Sequence, residues 1–420
     1  MLLIIIIVFV IGYLFITLEH TLRINKTATA LLTGVICWSL YAVSNNHSPV
    51  TEQLSHHLAG IAEIAFFLLG AMTIVELIDA HQGFGVITER IQTKDTRLLL
   101  WIISVLAFFL SAVLDNLTTA IVMVSLLRKM IRDDEMRRFF AGIVIIAANA
   151  GGAWSPLGDV TTTMLWIGGQ ISAINIMKVL FIPSLVSLIV PLLYLSFRLK
   201  GSIQPPKVSK NSSAEAVPAF ERNIMFGVGL AMLLFVPIFK TITHLPPYMG
   251  ILLALGVVWI VSEILHSHKD EEDRRPFTAG YALSKIDTSS ILFFMGILLA
   301  IGVLEVTHTL HNLAGWMNDT IGNLDVIVFT IGIASAIIDN VPLVAASMGM
   351  YDLATYPQDH RIWEFLAYCA GTGGSMLIIG SAAGVAVMGM ERISFFWYLK
   401  RISLPALLGY TAGAIVFLFL

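Results

Sequence analysis

Charge is what this sequence has least of. Only 13 % of its 420 residues are Asp, Glu, Lys or Arg, against 57 % hydrophobic, and its mean hydropathy is +0.84. Soluble domains carry about 25 % charged residues, so an ordinary soluble fold is excluded and an integral membrane protein is implied. Cysteine is nearly absent. Cys37 and Cys369 fall in separate apolar runs and read as core fill, so neither a disulfide framework nor a thiolate metal centre is expected. A net charge of −3 offers no positive excess for nucleic acid. The opening "MLLIIIIVFVIGYLFITL" lacks the basic flank and the small-residue cleavage site of a signal peptide, and reads as a retained span.

What is present in abundance is apolar runs near the ~20 residues that cross a bilayer. They fall near 2–18, 27–44, 60–80, 98–127, 139–168, 179–197, 223–239, 248–265, 288–306, 324–350, 362–389 and 402–420. Two of them are interrupted by an Asp-Asn pair, Asp115-Asn116 in "SAVLDNLTTA" and Asp339-Asn340 in "SAIIDNVPLV". If both are re-entrant hairpins, ten full crossings remain. Alternating the loops on that basis puts all but Lys178, Lys240 and Arg361 of the 25 basic residues on one face. The positive-inside rule makes that face cytoplasmic. A single crossing at 98–127 would split Arg90, Lys94 and Arg97 from the arginines that follow, so the asymmetry favours the hairpin. Both termini then face outward.

The halves repeat. Adding 224 carries Ser111-Ala112 to Ser335-Ala336, Asp115-Asn116 to Asp339-Asn340 and Glu63 to Asp287; at 222, "GGAWSPLGD" (151–159) overlays "GGSMLIIGS" (373–381). Each half has five spans, an odd number, so the second copy is expected to be inverted. The expected fold is all-α and polytopic: a first repeat at 1–199, a cytoplasmic linker at 200–221 and a second repeat at 222–420. Inverted repeats with discontinuous helices are the architecture of secondary transporters, whose sites lie near the midplane.

Intramembrane carboxylates cost about 2.5–3.5 kcal/mol each on insertion scales and usually face a cavity or a partner. Non-helical backbone at that depth also needs cover. Tips that meet in one polar pocket satisfy both demands. Thr118 and Thr119 follow the first tip, whereas Val341 and Pro342 follow the second, so the tips are chemically unequal. Between them lies "AANAGGAWSPLGDVTTTMLW" (147–166), where Gly151, Gly152 and Pro156 predict a broken helix surrounded by Asn149, Ser155, Asp159, Thr161 and Thr162. Its counterpart at 370–384 offers Thr372, Ser375 and Ser381. Carboxylate, amide and hydroxyl oxygens are hard donors that suit a hard cation. No Arg or Lys is expected inside this constellation.

These motifs resemble those of the NhaD family of bacterial sodium/proton antiporters, within the ion transporter superfamily, over essentially the whole chain. The resemblance implies export of Na⁺ or Li⁺ against entry of H⁺ across the bacterial inner membrane, with hairpins and broken helices moving against a scaffold of other spans. It implies a homodimer in the lipid bilayer and no cofactor beyond the transported ions. Asp115, Asn116, Asp159, Asp339 and Asn340 are the expected Na⁺ ligands, with Asn149, Ser155, Thr161, Thr162, Ser375 and Ser381 around them.

Other readings stand beside these. Glu63 and Glu76, 13 residues apart and so about 20 Å along one helix, are candidate proton relays that cannot share an ion. His56, His57, His81, His308 and His311 are expected in solvated loops, as is "HSHKDEEDRR" (266–275). Leu157-Gly158-Asp159 resembles part of an intramembrane aspartyl protease motif, but position 156 is Pro. Within transporters, a sodium-coupled carboxylate or arsenite carrier is the alternative.

Overall fold

A computed structural model describes residues 1–44, 50–88, 91, 93, 95–199, 201 and 217–420. The expected linker therefore lies largely outside the described residues, as do Arg90, Lys94, Lys200, Lys207 and Lys210. Regular structure among the described residues is helical. The first half comprises α1 (Leu2–Thr17), α2 (Lys26–Ser44), α3 (Val50–Ala80), α4 (Thr96–Leu114), α5 (Asn116–Met130), α6 (Asp134–Ala153), α7 (Val160–Ile167) and α8 (Ala173–Arg198). The second comprises α9 (Ala219–Thr243), α10 (Pro247–Leu265), α11 (Thr288–Val306), α12 (Thr309–Ile321), α13 (Leu324–Ala334) and α14 (Asn340–Met350). It ends with α15 (Arg361–Gly373), α16 (Ala382–Glu391), α17 (Phe395–Arg401) and α18 (Ser403–Phe419). Short helical turns between them are left unnumbered.

Among the described residues, seven helices (α2, α3, α4, α8, α9, α10 and α11) are long and apolar enough to cross a membrane, and α17 with α18, bent by 55°, makes an eighth. The protein is thus an all-α, multi-pass membrane protein. Exposed apolar side chains such as Phe197, Ile242 and Phe419 suit contact with hydrocarbon. Helix α3 begins ten residues before the expected span at 60, because polar side chains in "TEQLSHHLAG" end the apolar run without breaking helical backbone.

Contacts at helix ends fix directions. Arg97, at the start of α4, donates to Leu199 O beyond the end of α8 at 2.7 Å. Arg137, early in α6, donates to Ile131 O beyond the end of α5 at 3.3 Å. Helix α6 with α7 runs away from that end of the bundle and α8 runs back to it, so α4–α5 enters and leaves at one end. At the opposite end Arg361, which opens α15, faces Asp325 in the first turn of α13 at 3.8 Å, and α14 returns to the short loop before α15. The two broken helices are antiparallel. Glu391, ending α16, binds Arg137 at 2.7 Å, while Asp359, just before α15, accepts from Ser172 N, just after α7, at 2.6 Å.

Close packing repeats between the halves. Ser111 Oγ donates to Ala148 O at 2.6 Å, and Ser335 Oγ to Ala370 O at 2.9 Å. A Cβ on Gly151 would lie 2.1 Å from Phe108 O, and one on Gly373 the same distance from Gly332 O. Gly151 and Gly152 do not break their helix as expected, whereas Gly373 is the last residue of α15. Helix α6 continues to Ala153 and its break runs from Trp154 to Asp159; the glycines instead let hairpin backbone touch broken-helix backbone. The hairpin breaks also differ, with Asp115 alone interrupting the first at φ 75°, while residues 335–339 separate α13 from α14.

Two polar clusters at helix ends are packed, the histidine one against the expectation of solvated loop. The Glu391 carboxylate, 1 % exposed, accepts from Arg128 Nε and Arg137 Nε, each at 2.7 Å, and ties the first hairpin to α16. His81 and His266 are buried, their Nε2 atoms 2.9 Å apart. His81 Nδ1 meets Leu77 O at 2.7 Å, and Phe277 stacks on His266. Ser262, Lys269 and Glu221, the last 3.6 Å from His266 Nδ1, complete the surround. The apolar run ends near here, but the following chain folds back to cover it.

Losing one partner of a buried ion pair costs about 3–5 kcal/mol, so Glu391→Gln should lower the unfolding temperature in detergent by several degrees. A wild-type melting curve would remove the cluster from the stability account. The histidine pair sets a second expectation. Burial lowers the pKa of both imidazoles, that of His266 to about 4, so the unfolded chain takes up protons first as pH falls. Stability should be full above about 6.5, the ordinary imidazole value, and decline toward about 4. His266→Phe should flatten that decline in thermal unfolding measured across the interval; an unaltered slope would contradict it.

Candidate ion-binding site

Four helices start within one hydrogen-bonded cluster, and each begins on a polar cap. Asp115 Oδ1 accepts from Thr118 N at 2.8 Å to cap α5, and Asp159 Oδ1 accepts from Thr161 N at 3.0 Å to cap α7. Asp339 Oδ1 accepts from Val341 N at 3.2 Å to cap α14, and Ser381 Oγ accepts from Gly384 N at 3.2 Å to cap α16. Capping side chains satisfy amides that a helix start leaves unpaired, and a carboxylate there also faces the positive end of the helix dipole.

Asp159 is the centre. It is 2 % exposed, and its Oδ2 accepts from Asn116 Nδ2 at 2.7 Å and from Asn340 Nδ2 at 3.2 Å. Residues from both hairpin tips thus hold one carboxylate. Asn116 Nδ2 also reaches Asn149 Oδ1 at 3.1 Å, and Asn149 Nδ2 donates to Ser375 Oγ and Ser381 Oγ, each at 3.0 Å. Asn149 therefore bridges the two broken helices. The hydroxyls of Thr161 and Thr119 are buried without a well-formed hydrogen bond, oxygen atoms with spare acceptor capacity beside Asp159 and the first tip.

Other expected ligands do different work. Thr162 Oγ1 donates to Asp159 O at 2.9 Å, a carbonyl that also accepts from Thr163 N, and Ser155 Oγ donates to Ala112 O at 2.5 Å, covering backbone beside the first hairpin's interruption. The Asp115 carboxylate spends both oxygens on Thr118, the second accepting from Thr118 Oγ1 at 2.9 Å. The Asp339 carboxylate pairs with Lys26 Nζ at 3.1 Å. The five residues expected to share one ion are thus neighbours, but among their side chains only those of Asn116 and Asn340 have described hydrogen bonds to Asp159.

Lys26 corrects the expectation that no basic side chain enters the constellation. It opens an apolar run and looked like a loop residue on the basic face, but its long stem lets the ammonium reach inward. Glu63 lies near Lys240, whose ammonium donates to Trp166 O at 2.8 Å, while Glu76 lies near Asp79 and Lys285. No described hydrogen bond joins either glutamate to Asp159. Asp287, the repeat partner of Glu63, is an exposed cap that accepts from Ser290 N at 3.1 Å.

Comparison with known proteins identifies the family. The profile of the family described as citrate transporter matches residues 2–363. Sodium/proton antiporter 1 of Arabidopsis thaliana is 51 % identical over 98 % of this chain and 71 % of its own length. Sodium/proton antiporter 2 of the same plant is 48 % identical over 98 % and 97 %. The Na⁺/H⁺ antiporter NhaD of Alkalimonas amylolytica is 31 % identical over 98 % and 89 %. This chain belongs to the NhaD-type sodium/proton antiporter family. Relatives named as antiporters fit a transporter better than an enzyme. In this NhaD-type chain the Asp-Asn tips and the break at Asp159 are the parts the hydrogen bonds bring together.

Asn149→Ala should separate the halves of the site without opening a backbone bond. The expected outcome is a protein that still folds, about 1–3 kcal/mol less stable for the buried groups left unpaired, and that binds ²²Na⁺ at least roughly tenfold more weakly. Ser155→Ala should also lower stability but leave ion affinity little changed. The opposite pattern would exchange their roles.

Proposed function

We propose that the chain exchanges Na⁺ or Li⁺ for H⁺, with Asp159 as the carboxylate for which both ions compete. One observation carries this: a buried aspartate held by amides from both hairpin tips. A charged carboxylate away from water needs a partner, and here amide hydrogens supply it when no cation is bound. The Asn χ2 torsion is broad, so Asn116 and Asn340 can rotate to present oxygen instead. Thr161 Oγ1 and Thr119 Oγ1 would add hydroxyl oxygens. Protonation of Asp159 removes the charge that holds the cation, and cation binding excludes the proton.

The same proposal takes the halves as inverted copies, supported by the antiparallel broken helices and the repeated close contacts. It puts the basic face, with the linker 200–221, in the cytoplasm of a bacterial inner membrane and both termini outward. Hairpins and broken helices would move as one body within each subunit of a homodimer, as the family resemblance implies.

The citrate-transporter description raises a second reading, uptake of a carboxylate. Helix starts can hold anions, but three of the four here are already filled by Asp115, Asp159 and Asp339, whose charge would repel a polycarboxylate. Sodium-dependent uptake of labelled citrate or succinate would reverse this choice.

In everted vesicles carrying a pH-sensitive dye, NaCl and LiCl should dissipate an imposed proton gradient and KCl should not. Raising pH removes the competing proton, so activity should climb toward the alkaline side. Asp159→Asn should abolish exchange in a protein that still folds. A flat pH profile, or exchange by Asp159→Asn, would overturn the shared-carboxylate mechanism.

A further inference from the structure

The two hairpin tips differ in one contact. At the first, the Asp115 carboxylate is met by groups of its own first turn, Leu117 and Thr118. At the second, Asp339 Oδ2 lies 3.1 Å from Lys26 Nζ, with side chains only 22 % (Lys26) and 15 % (Asp339) exposed. The ammonium is further held 4.4 Å above the Phe293 ring, a contact favourable to a cation. The backbone around it is fixed too. Lys26 N donates to Glu19 Oε1 at 3.1 Å, and Thr27 Oγ1 donates to Ser289 O on α11 at 3.0 Å. Tyr13 on α1 also lies within electrostatic range of Asp339. Lys26 therefore belongs to the α1–α2–α11 group, whereas Asp339 belongs to a hairpin whose next residue, Asn340, touches Asp159.

We infer that Lys26 is a tethered cation that competes with the transported ion for the second tip and so sets the affinity of the carrier for Na⁺. The inference rests on the exchange reading above and adds a specificity-setting residue outside the repeat motifs. Its logic is occupancy. Asp339 adjoins the Asn340 amide that must turn toward an arriving cation, and a lysine on a neighbouring helix already neutralises that tip. A mobile cation that draws on Asp339 has to displace the ammonium, and its apparent affinity falls by the fraction of time the tip is taken. At the first tip no described residue imposes that competition, which leaves one open apex and one guarded one.

The test is equilibrium ²²Na⁺ binding to the purified full-length chain in detergent, which stays readable in variants that do not transport. Lys26→Met should tighten Na⁺ binding by roughly threefold or more, and Lys26→Arg, which keeps the charge, should restore the wild-type value. Because the effect acts through Asp339, the Lys26→Met/Asp339→Asn double variant should bind like Asp339→Asn alone. Unchanged or weaker binding in Lys26→Met, with wild-type melting, would overturn the inference. So would an effect of Lys26→Met that persists in the Asp339→Asn background. Wild-type exchange in vesicles reports separately on the function itself, so either idea can fail alone.

Discussion

Four helix starts brought to one point make a strong positive field, and the structure depends on how that field is answered. The partial positive ends of α5, α7, α14 and α16 would by themselves favour an anion. Asp115, Asp159 and Asp339 instead place three carboxylates on those ends, with Ser381 on the fourth. Each acid thereby receives local stabilisation that offsets part of the cost of an intramembrane charge. What remains is a surplus of negative charge at the apex and a demand for a cation or a proton. The choice of cap residue thus decides the sign of the cargo.

The halves share a framework but divide the labour. Ser111 and Ser335 make equivalent bonds, and Gly151 and Gly373 allow equivalent approaches, so the tips sit against their broken helices in the same way. The chemistry then diverges at matched positions. Asp159 corresponds to Ser381, and Thr118-Thr119 to Pro342-Leu343. One broken helix supplies the carboxylate and the other supplies hydroxyls that hold Asn149. Within this cluster Asp159 is the one fully buried acid among the described residues, which suits the single exchange centre proposed above, where strict symmetry would call for two.

Much of this was legible in the sequence because hydrocarbon makes polar residues conspicuous. Asp-Asn after an apolar run, or Asn149 before a double glycine, has few structural reasons to be there. The long spans followed from the same cause. What the pattern concealed were contacts made by ordinary loop types: Lys26 at a span edge, Glu391 in "GMERIS", and His81 with His266 at two span ends. Burial of these residues is set by which ends meet in space. Periodicity and hydropathy carry no information on that. Gly151-Gly152 misled in a related way. A glycine pair inside an apolar run signals either flexibility or close approach, and only the partner, Phe108 O, shows that here it is approach.

The antiparallel broken helices add a constraint on motion. Asp159 is covalently part of the first half, yet Asn340 comes from the second, and Asn149 is bonded to Ser375 and Ser381. Pulling either hairpin away from its broken helix would leave a buried amide or carboxylate without a partner, at about 1–3 kcal/mol or more for each charged group. Moving both hairpins with both broken helices preserves every one of these bonds. The cheapest path therefore keeps the cluster intact and breaks contacts only at its rim. The Lys26–Asp339 pair lies on that rim, where the cluster meets the surrounding helices.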